Sequence, residues 1–279
     1  MNLRLHPLAH EPARRRPAVG ARAVTILELL VAVSLISFII LALYQMFDQT
    51  QTQMRRTVRE VDKFESGRAA AELLKRDVAQ MVAGNSPLGA AAVNFFAGTT
   101  VGTINWSGGA FAMTNGGNTV LAGILQEAYF LSFDPAATPT NWSPVAYRVA
   151  SSTNAAAVAT FGLGTLYRWT TNANRFSPNL QNVFFSNPPT NFFQRVVDNV
   201  VHFRVTAITN GAPVPSGGYL TNTVLPSHVE IELAYVDSRT ADRARALLPN
   251  TNAIRAILST NVNSVHLFRL QIPIRAGQQ

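Results

Sequence analysis

The chain has no cysteine and few charged residues: Asp, Glu, Lys and Arg make up 14 % of its 279 residues, against roughly 25 % in an average soluble protein. The lack of cysteine excludes disulfides, thiolate zinc sites and thiol nucleophiles. There is no P-loop and no G-x-S-x-G motif, and "GLG" at Gly162–Gly164 lacks the third glycine of a dinucleotide-binding loop. We therefore expect a protein that is not an enzyme and that uses no cofactor.

Positive charge is concentrated at the N-terminus. Of the net charge of +8, half lies before the first hydrophobic segment, where one acid, Glu11, is outnumbered by Arg4, Arg14, Arg15, Arg16 and Arg22. Positive flanks of an apolar segment stay on the cytoplasmic side of a membrane. We interpret the cluster as a topology signal rather than as an RNA- or DNA-binding "ARRRP" patch, and expect no nucleic-acid partner.

The stretch "AVTILELLVAVSLISFIILALYQMF" from Ala23 to Phe47 contains one charged residue, Glu28. As a helix, Val24–Phe47 would extend about 36 Å, enough to cross a hydrocarbon core of about 30 Å. A secretory signal would have a shorter apolar core and a small-x-small cleavage site, which "LALYQMFDQ" does not provide. A simple membrane anchor leaves Glu28 unexplained, since a carboxylate inside a membrane costs about 2.5–3.5 kcal/mol, unless the side chain snorkels to the basic flank.

The segment "VTILELLVAVSLISF" closely resembles the N-terminal signature of type IV pilins and pseudopilins, in which a Gly precedes "FTLIELLV". The resemblance implies that a prepilin peptidase cuts between Ala23 and Val24 and methylates the new N-terminus. Glu28 becomes the fifth mature residue, which in that family pairs with the N-terminal ammonium of a neighbouring subunit. Ala23 and Val24 depart from the usual Gly and Phe. A cut after Gly20 would leave Arg22 inside the mature membrane helix, so we reject it.

The physical chemistry of such a pair suits assembly. An ammonium and a carboxylate are each costly alone in low dielectric and attract strongly when together. A pair of this kind defines the stagger between helices rather than adding bulk stability. On this interpretation, Glu28 is the assembly residue of the chain.

The helical pattern continues beyond Phe47. Between Asp48 and Val82 there is no Pro and one Gly, and apolar or small residues recur three or four positions apart: Met54, Val58, Val61, Phe64, Gly67, Ala71, Leu74, Val78 and Met81. The opposite face is assigned the charged residues Arg55, Arg56, Arg59, Glu60, Asp62, Lys63, Glu65, Glu72, Lys75, Arg76 and Asp77. "AGNSP" at Ala83–Pro87 supplies the stop signal. We predict one helix from about Val24 to Val82 whose apolar stripe packs on a head domain; a coiled-coil dimer is the alternative.

The remaining chain is rich in short strand-like runs. Alternating apolar residues and turn signals predict six strands: Gly123–Asp134, Pro144–Ser152, Gly164–Thr171, Val196–Ile208, Ser227–Asp237 and Val262–Ile274. In the last strand the apolar positions change parity, which suggests a register shift near Phe268. A helical insert is expected near 239–260, since "SRTADRARALLP" begins with cap residues and ends at a Pro. The predicted organisation is a leader at 1–23, a membrane half-helix at 24–47, an amphipathic half-helix at 48–83 and a β-rich head at 84–279.

Three shorter segments refine the resemblance. "GRAAAELLKRDVAQM", "VVDNVVHFRV" and "LPSHVEIELAY" are similar to J-type minor pseudopilins of type II secretion systems. The resemblance implies an α+β, pilin-like fold, in which the long helix packs on an antiparallel sheet. It also implies a single-pass inner-membrane protein with a cytoplasmic N-terminus and a periplasmic head, for which the expected partners are a prepilin peptidase, other pseudopilins or pilins and the inner-membrane assembly platform. A minor pilin of a type IV pilus and an uncleaved, membrane-anchored binding protein remain alternatives.

Three histidines in predicted strands, His202, His228 and His266, are the one candidate metal set. Strands can bring distant histidines together, but these three lack any accompanying ligand pattern, and no EF-hand spacing occurs. We expect no metal site.

Overall fold

The computed structural model describes residues 25–83, 93–98, 111–115, 118–132, 141–150, 162–171, 173–174, 193–221, 224–248 and 250–274. The chain divides into two compact units, Met1–Thr57 and Val58–Gln279. Helix α1 runs from Ile26 to Ala79 and contributes residues to both. The second unit adds an antiparallel sheet, so the expected α+β class is confirmed.

The sheet is built from strands spread along the second unit. These are β1 (Val93–Gly98), β4 (Glu127–Ser132), β5 (Asn141–Ala150), β6 (Gly164–Thr170), β7 (Ala173–Asn174), β8 (Phe193–Thr209), β9 (Ala212–Pro213), β10 (Tyr219–Thr221), β11 (His228–Val236) and β12 (Val265–Pro273). Their order is β10-β1-β4-β5-β6-β8-β11-β12, with β7 paired to β5 and β9 to β8. A separate hairpin consists of β2 (Phe111–Asn115) and β3 (Asn118–Gly123).

Each of the six predicted strands overlaps one strand of this sheet. The helical insert consists of α2 (Ser238–Ala246) and α3 (Thr251–Thr260), followed by a 3₁₀ turn at Val262–Ser264. The sequence predicted none of the short strands β1, β2, β3, β7, β9 and β10. Helix α1 ends at Ala79, three residues before the predicted end.

The main core lies between the C-terminal part of α1 and one face of the sheet. Leu74 and Val78 of the helix belong to the same buried cluster as Phe130, Tyr147 and Phe203 of the sheet. Alternate residues of a strand point to one face, and on β11 the residues that join this cluster are Val229, Ile231, Leu233 and Tyr235. The polar residues between them therefore point to the opposite face.

A second, smaller core covers part of that opposite face. Helices α2 and α3 contribute Ala241, Ala244, Ile254 and Leu258, which pack with Val201, Ala234 and Val236 of the sheet. Strands β11 and β12 are thus covered on both faces near this end, so apolar residues of both parities are buried there.

The predicted register shift near Phe268 is wrong for this reason. Pairing of β11 with β12 is unbroken from His228 opposite Pro273 to Val236 opposite Val265. Leu267 packs against the α2–α3 cluster, whereas Phe268 packs against the α1 cluster. In an unbroken strand neighbouring side chains point to opposite faces, and here each face is covered by an apolar layer.

The predicted apolar stripe of α1 is buried only in its second part. Gly67, Ala71, Leu74, Val78 and Met81 are buried. The earlier members of the stripe are exposed, by 52 % to 67 % of their surface: Met54, Val58, Val61 and Phe64. Phe64 contacts Phe268 of the sheet but leaves more than half of its surface exposed, so the predicted burial of the stripe is observed only from Gly67 onward.

Helix α2 begins at a charged cap. Asp237 accepts hydrogen bonds from the backbone N–H of Thr240 (3.0 Å) and from its hydroxyl (2.7 Å). Burial alone would raise the pKa of Asp237, but these hydrogen bonds outweigh burial and hold the pKa below its ordinary value. The carboxylate is therefore ionised at neutral pH, as an N-cap that accepts from two donors requires.

Gly67 marks the closest approach of α1 to the sheet. A Cβ at this position would lie 2.4 Å from both Cε1 and the hydroxyl oxygen of Tyr235. The Tyr235 ring is itself buried and stacks on Phe268 with centroids 6.0 Å apart. The helix can lie this close only because residue 67 has no side chain.

We predict that Gly67→Ala destabilises the second unit. Overpacking costs about 1–3 kcal/mol, and the better helix propensity of Ala returns about 1 kcal/mol, so a net loss of up to about 2 kcal/mol is expected. Chemical denaturation of the full chain in detergent measures it, with the exposed Glu65→Ala as control. In a Tyr235→Leu background the cost of Gly67→Ala should vanish; the same cost in both backgrounds would contradict this explanation.

Candidate functional site

The first candidate site is the N-terminal end of α1. The backbone N–H of Glu28 donates to the hydroxyl oxygen of Thr25 (3.3 Å), and the N–H of Leu29 donates to the Thr25 carbonyl (3.1 Å). Thr25 is therefore the N-cap of the helix, and Glu28 stands three residues later, where a capping box has Glu or Gln. A carboxylate at this end also interacts favourably with the helix dipole.

From Ile26 to Arg55 the helix is long and apolar enough to cross a membrane, and no part of its most apolar window is buried within the protein. Its apolar side chains are exposed on every side of the helix, including Leu27, Phe38 and Leu43. A helix that is apolar all round requires a lipid or protein environment. Ala23 and Val24, the predicted cleavage position, lie outside the described residues.

A second site joins the end of α1 to the sheet. Asp77 is 2 % exposed, and its Oδ2 accepts hydrogen bonds from Nε of Arg168 on β6 (2.5 Å) and from the hydroxyl of Tyr147 on β5 (2.6 Å). Arg76 Nε lies 3.9 Å from the other carboxylate oxygen. We call Asp77, Tyr147 and Arg168 the helix–sheet clamp.

The surroundings of the clamp keep its two donors, Tyr147 and Arg168, in the protonated forms that the hydrogen bonds need. Burial, together with the charge and hydrogen bond of Asp77, raises the pKa of Tyr147 well above its ordinary value, so the phenol remains a donor. Burial opposes the charge on Arg168, but the hydrogen bond to Asp77 and the attraction between the two charges raise its pKa. The clamp is thus a charge-assisted pair completed by a neutral donor.

The prediction that Asp77 lies on the exposed, charged face of the helix is wrong. Asp77 was grouped with exposed charges, yet it follows Leu74 by three residues and precedes Met81 by four, so it belongs to the buried stripe. That spacing was the available signal. The partners Tyr147 and Arg168 are 70 and 91 positions away, and no local pattern in the sequence indicates them.

A second buried ion pair lies on the face of the sheet away from α1. Nε of Arg148 donates to Oε1 of Glu127 over 2.7 Å, and the guanidinium lies 5.6 Å from the centre of the Phe193 ring. Both charged side chains are largely buried, and the aromatic ring covers the cation. This pair links the adjacent strands β4 and β5.

The three histidines are not brought together. His202 is buried, and its Nδ1 accepts a hydrogen bond from the N–H of Ile124 (3.1 Å), so Nε2 bears the hydrogen and donates to Glu232 (3.2 Å). His228 lies near Glu230 at the far end of β11, and His266 contacts the Tyr235 ring. Within the part of the chain that the structure describes, no three His, Asp or Glu side chains are placed to hold a metal ion.

Gln126 has an additional structural role that the sequence did not suggest. Its Oε1 accepts from the N–H of Val205 (2.8 Å), and its backbone N–H donates to the carbonyl of Phe203 (2.9 Å). With His202 on Ile124, these bonds tie the segment between β3 and β4 to the middle of β8. The residues that hold this segment against β8 are therefore buried polar groups with satisfied partners.

Comparison with protein-family models, curated proteins and solved structures gives no match for this chain.

We predict that Asp77→Asn destabilises the second unit by about 3–5 kcal/mol, because it leaves the largely buried Arg168 without its counter-charge. The free energy of unfolding from denaturant titration measures the loss. Glu72→Gln, which removes an exposed carboxylate from the same helix, should change it by less than about 1 kcal/mol. The double change Asp77→Asn with Arg168→Met should recover much of the loss; equal effects of Asp77→Asn and Glu72→Gln would show that the clamp is unimportant.

Proposed function

We propose that this chain is a minor pseudopilin, a structural tip subunit of a type II secretion pseudopilus. The observation that carries the proposal is the apolar helix from Ile26 to Arg55, which begins at Thr25 and bears Glu28 in its first turn. This helix begins within the signature "AVTILELLV", and its C-terminal part packs on an antiparallel sheet through a buried clamp. A pilin-like fold has these same parts.

In the proposed pathway the helix first anchors the chain in the inner membrane, with the basic flank in the cytoplasm and the head in the periplasm. A prepilin peptidase removes residues 1–23 and methylates Val24. The assembly platform then transfers the subunit into the pseudopilus, where Glu28 pairs with the N-terminal ammonium of another subunit. The lipid-exposed apolar surface of the helix is exchanged for contact with neighbouring helices, so transfer need not expose that surface to water.

Two alternatives share part of this support. A minor pilin of a type IV pilus would use the same helix and the same processing. An uncleaved, membrane-anchored binding protein is favoured by one specific observation: the Thr25–Glu28 arrangement resembles a capping box, so Glu28 has a role at the helix start that requires no second subunit. The two experiments below separate assembly from anchoring.

Cleavage is the first prediction of the proposal. Expressed with a prepilin peptidase, the chain should be recovered with a methylated Val24 at its N-terminus, as intact mass and N-terminal sequencing would show. Ala23→Arg should block the cut, because a bulky cation replaces the small residue before it, while Ala21→Ser should be processed normally. A chain that keeps Arg14–Arg16 in the presence of active peptidase would refute the pilin-type pathway.

The second prediction of the proposal is that assembly requires the negative charge of Glu28. Gln is accepted in a capping box as Glu is, so Glu28→Gln keeps the helix start but cannot pair with an ammonium. In cells that express the complete secretion machinery, we expect at least ten-fold less of this variant in the sheared filament fraction, with unchanged amounts in the membrane. Asp48→Asn removes a carboxylate from the same helix and should assemble normally. Normal assembly of Glu28→Gln would leave the helix-capping role as its whole function.

A further inference from the structure

The sheet has two very different edges. One edge is closed by the three-residue strand β10, whereas the other is the nine-residue strand β12. Among the described residues, β12 pairs with β11 alone. A long regular edge strand presents backbone donors and acceptors to which another strand can add.

Two backbone hydrogen bonds reveal which groups of β12 face outward. Ile274 donates its N–H to Ser227, and Asp237 donates its N–H to the carbonyl of Ser264; both bonds join residues in the same register as the β11–β12 pairs. The even-numbered residues of β12 therefore make their backbone hydrogen bonds to β11. In an antiparallel strand the alternate residues point their backbone groups the other way, so Val265, Leu267, Arg269, Gln271 and Pro273 direct theirs to the free edge. Pro273 has no N–H and suits such a position.

The side chains at this edge define what an added strand would meet. On the α1 face, Phe268 and Leu270 are half-buried, and the Phe268 ring lies 5.7 Å from Phe64, which is 53 % exposed. Val61 continues the exposed apolar surface along the helix. Apolar residues on this face of an added strand would cover Phe268 and Phe64.

The opposite face ends in an unbalanced row of charges. Arg204 on β8, Glu232 on β11 and Arg269 on β12 are directly opposite one another, and Arg269 Nε lies 3.1 Å from Oε1 of Glu232. The row reads positive, negative, positive, and its last member is at the free edge with 66 % of its side chain exposed. A carboxylate in the next position would extend the alternation and neutralise the second arginine.

The same row disfavours a second copy of this chain. If two β12 strands paired antiparallel over their full length, Arg269 would lie opposite Arg269 of the other copy. Like charges directly opposite each other are destabilising. The edge thus selects a different protein with acidic residues over a homodimer.

We propose that β12 is a strand-addition site for an extended segment of another protein, in which an acidic residue pairs with Arg269 and the alternate residues are apolar. Backbone hydrogen bonds to Leu267, Arg269 and Gln271 would provide affinity for the added strand. The apolar side chains on the α1 face and the charged row on the opposite face would determine which sequences bind. The site belongs entirely to the second unit. It goes beyond the proposed function and does not rest on cleavage or on Glu28.

The test uses the full chain in detergent and two fluorescent peptides, TVEVTV and TVKVTV, blocked at both ends. We expect saturable binding of the Glu peptide, at least five-fold tighter than that of the Lys peptide. Arg269→Glu should reverse this preference. Arg204→Glu, which makes the same charge change two strands away from the edge, should preserve it. No saturable binding, or equal effects of Arg269→Glu and Arg204→Glu, would overturn the proposal.

Hydrogen exchange resolved at single amides gives an independent readout of the same site. In the free protein the amides of His266, Phe268 and Leu270 should exchange slowly, since they bond to β11. The Glu peptide should newly protect the amides of Leu267, Arg269 and Gln271. Protection confined to other segments, or binding with no protection at these three amides, would show that the peptide binds elsewhere and would refute strand addition.

Discussion

The second unit depends on one buried carboxylate. Asp77 joins α1 to β5 and β6 through the hydroxyl of Tyr147 and the guanidinium of Arg168, and it does so where the helix ends. An apolar helix face can slide or rotate on a sheet at modest cost, but a buried charge is satisfied in one position only. The clamp therefore selects the register in which Leu74 and Val78 meet the core of the sheet.

The close contact at Gly67 follows from the same register. With Asp77 fixed, residue 67 lies almost three helical turns earlier, directly over the buried ring of Tyr235. A side chain there would lift the helix from β11 and weaken the packing around Leu74. The position of α1 on the sheet is thus defined by the clamp at one end and by Gly67 at the other. The apolar residues between them provide most of the stabilisation through burial.

Much of this could be predicted from the sequence, and the failures have physical causes. Alternation identified β11, and three- and four-residue spacing identified α1, because each pattern records which face of one element is buried. The register shift predicted near Phe268 is wrong because apolar layers cover both faces of β12. Apolar residues of both parities are therefore buried, and parity does not distinguish buried from exposed positions. Asp77 was assigned to the exposed face because it is charged, although its spacing from Leu74 places it in the buried stripe. The clamp's partners could not be found, since contacts between distant strands leave no local periodicity.

The exposed part of the stripe has a structural reason that bears on function. Val58, Val61 and Phe64 continue the pattern of the buried residues of α1, yet the sheet extends no further than its edge strand, where Phe64 meets Phe268. Apolar residues kept at regular spacing beyond the end of their own core are costly in water. They become favourable when another protein covers them. The same reasoning applies to the apolar surface from Ile26 to Arg55, which requires a lipid or protein environment to cover it.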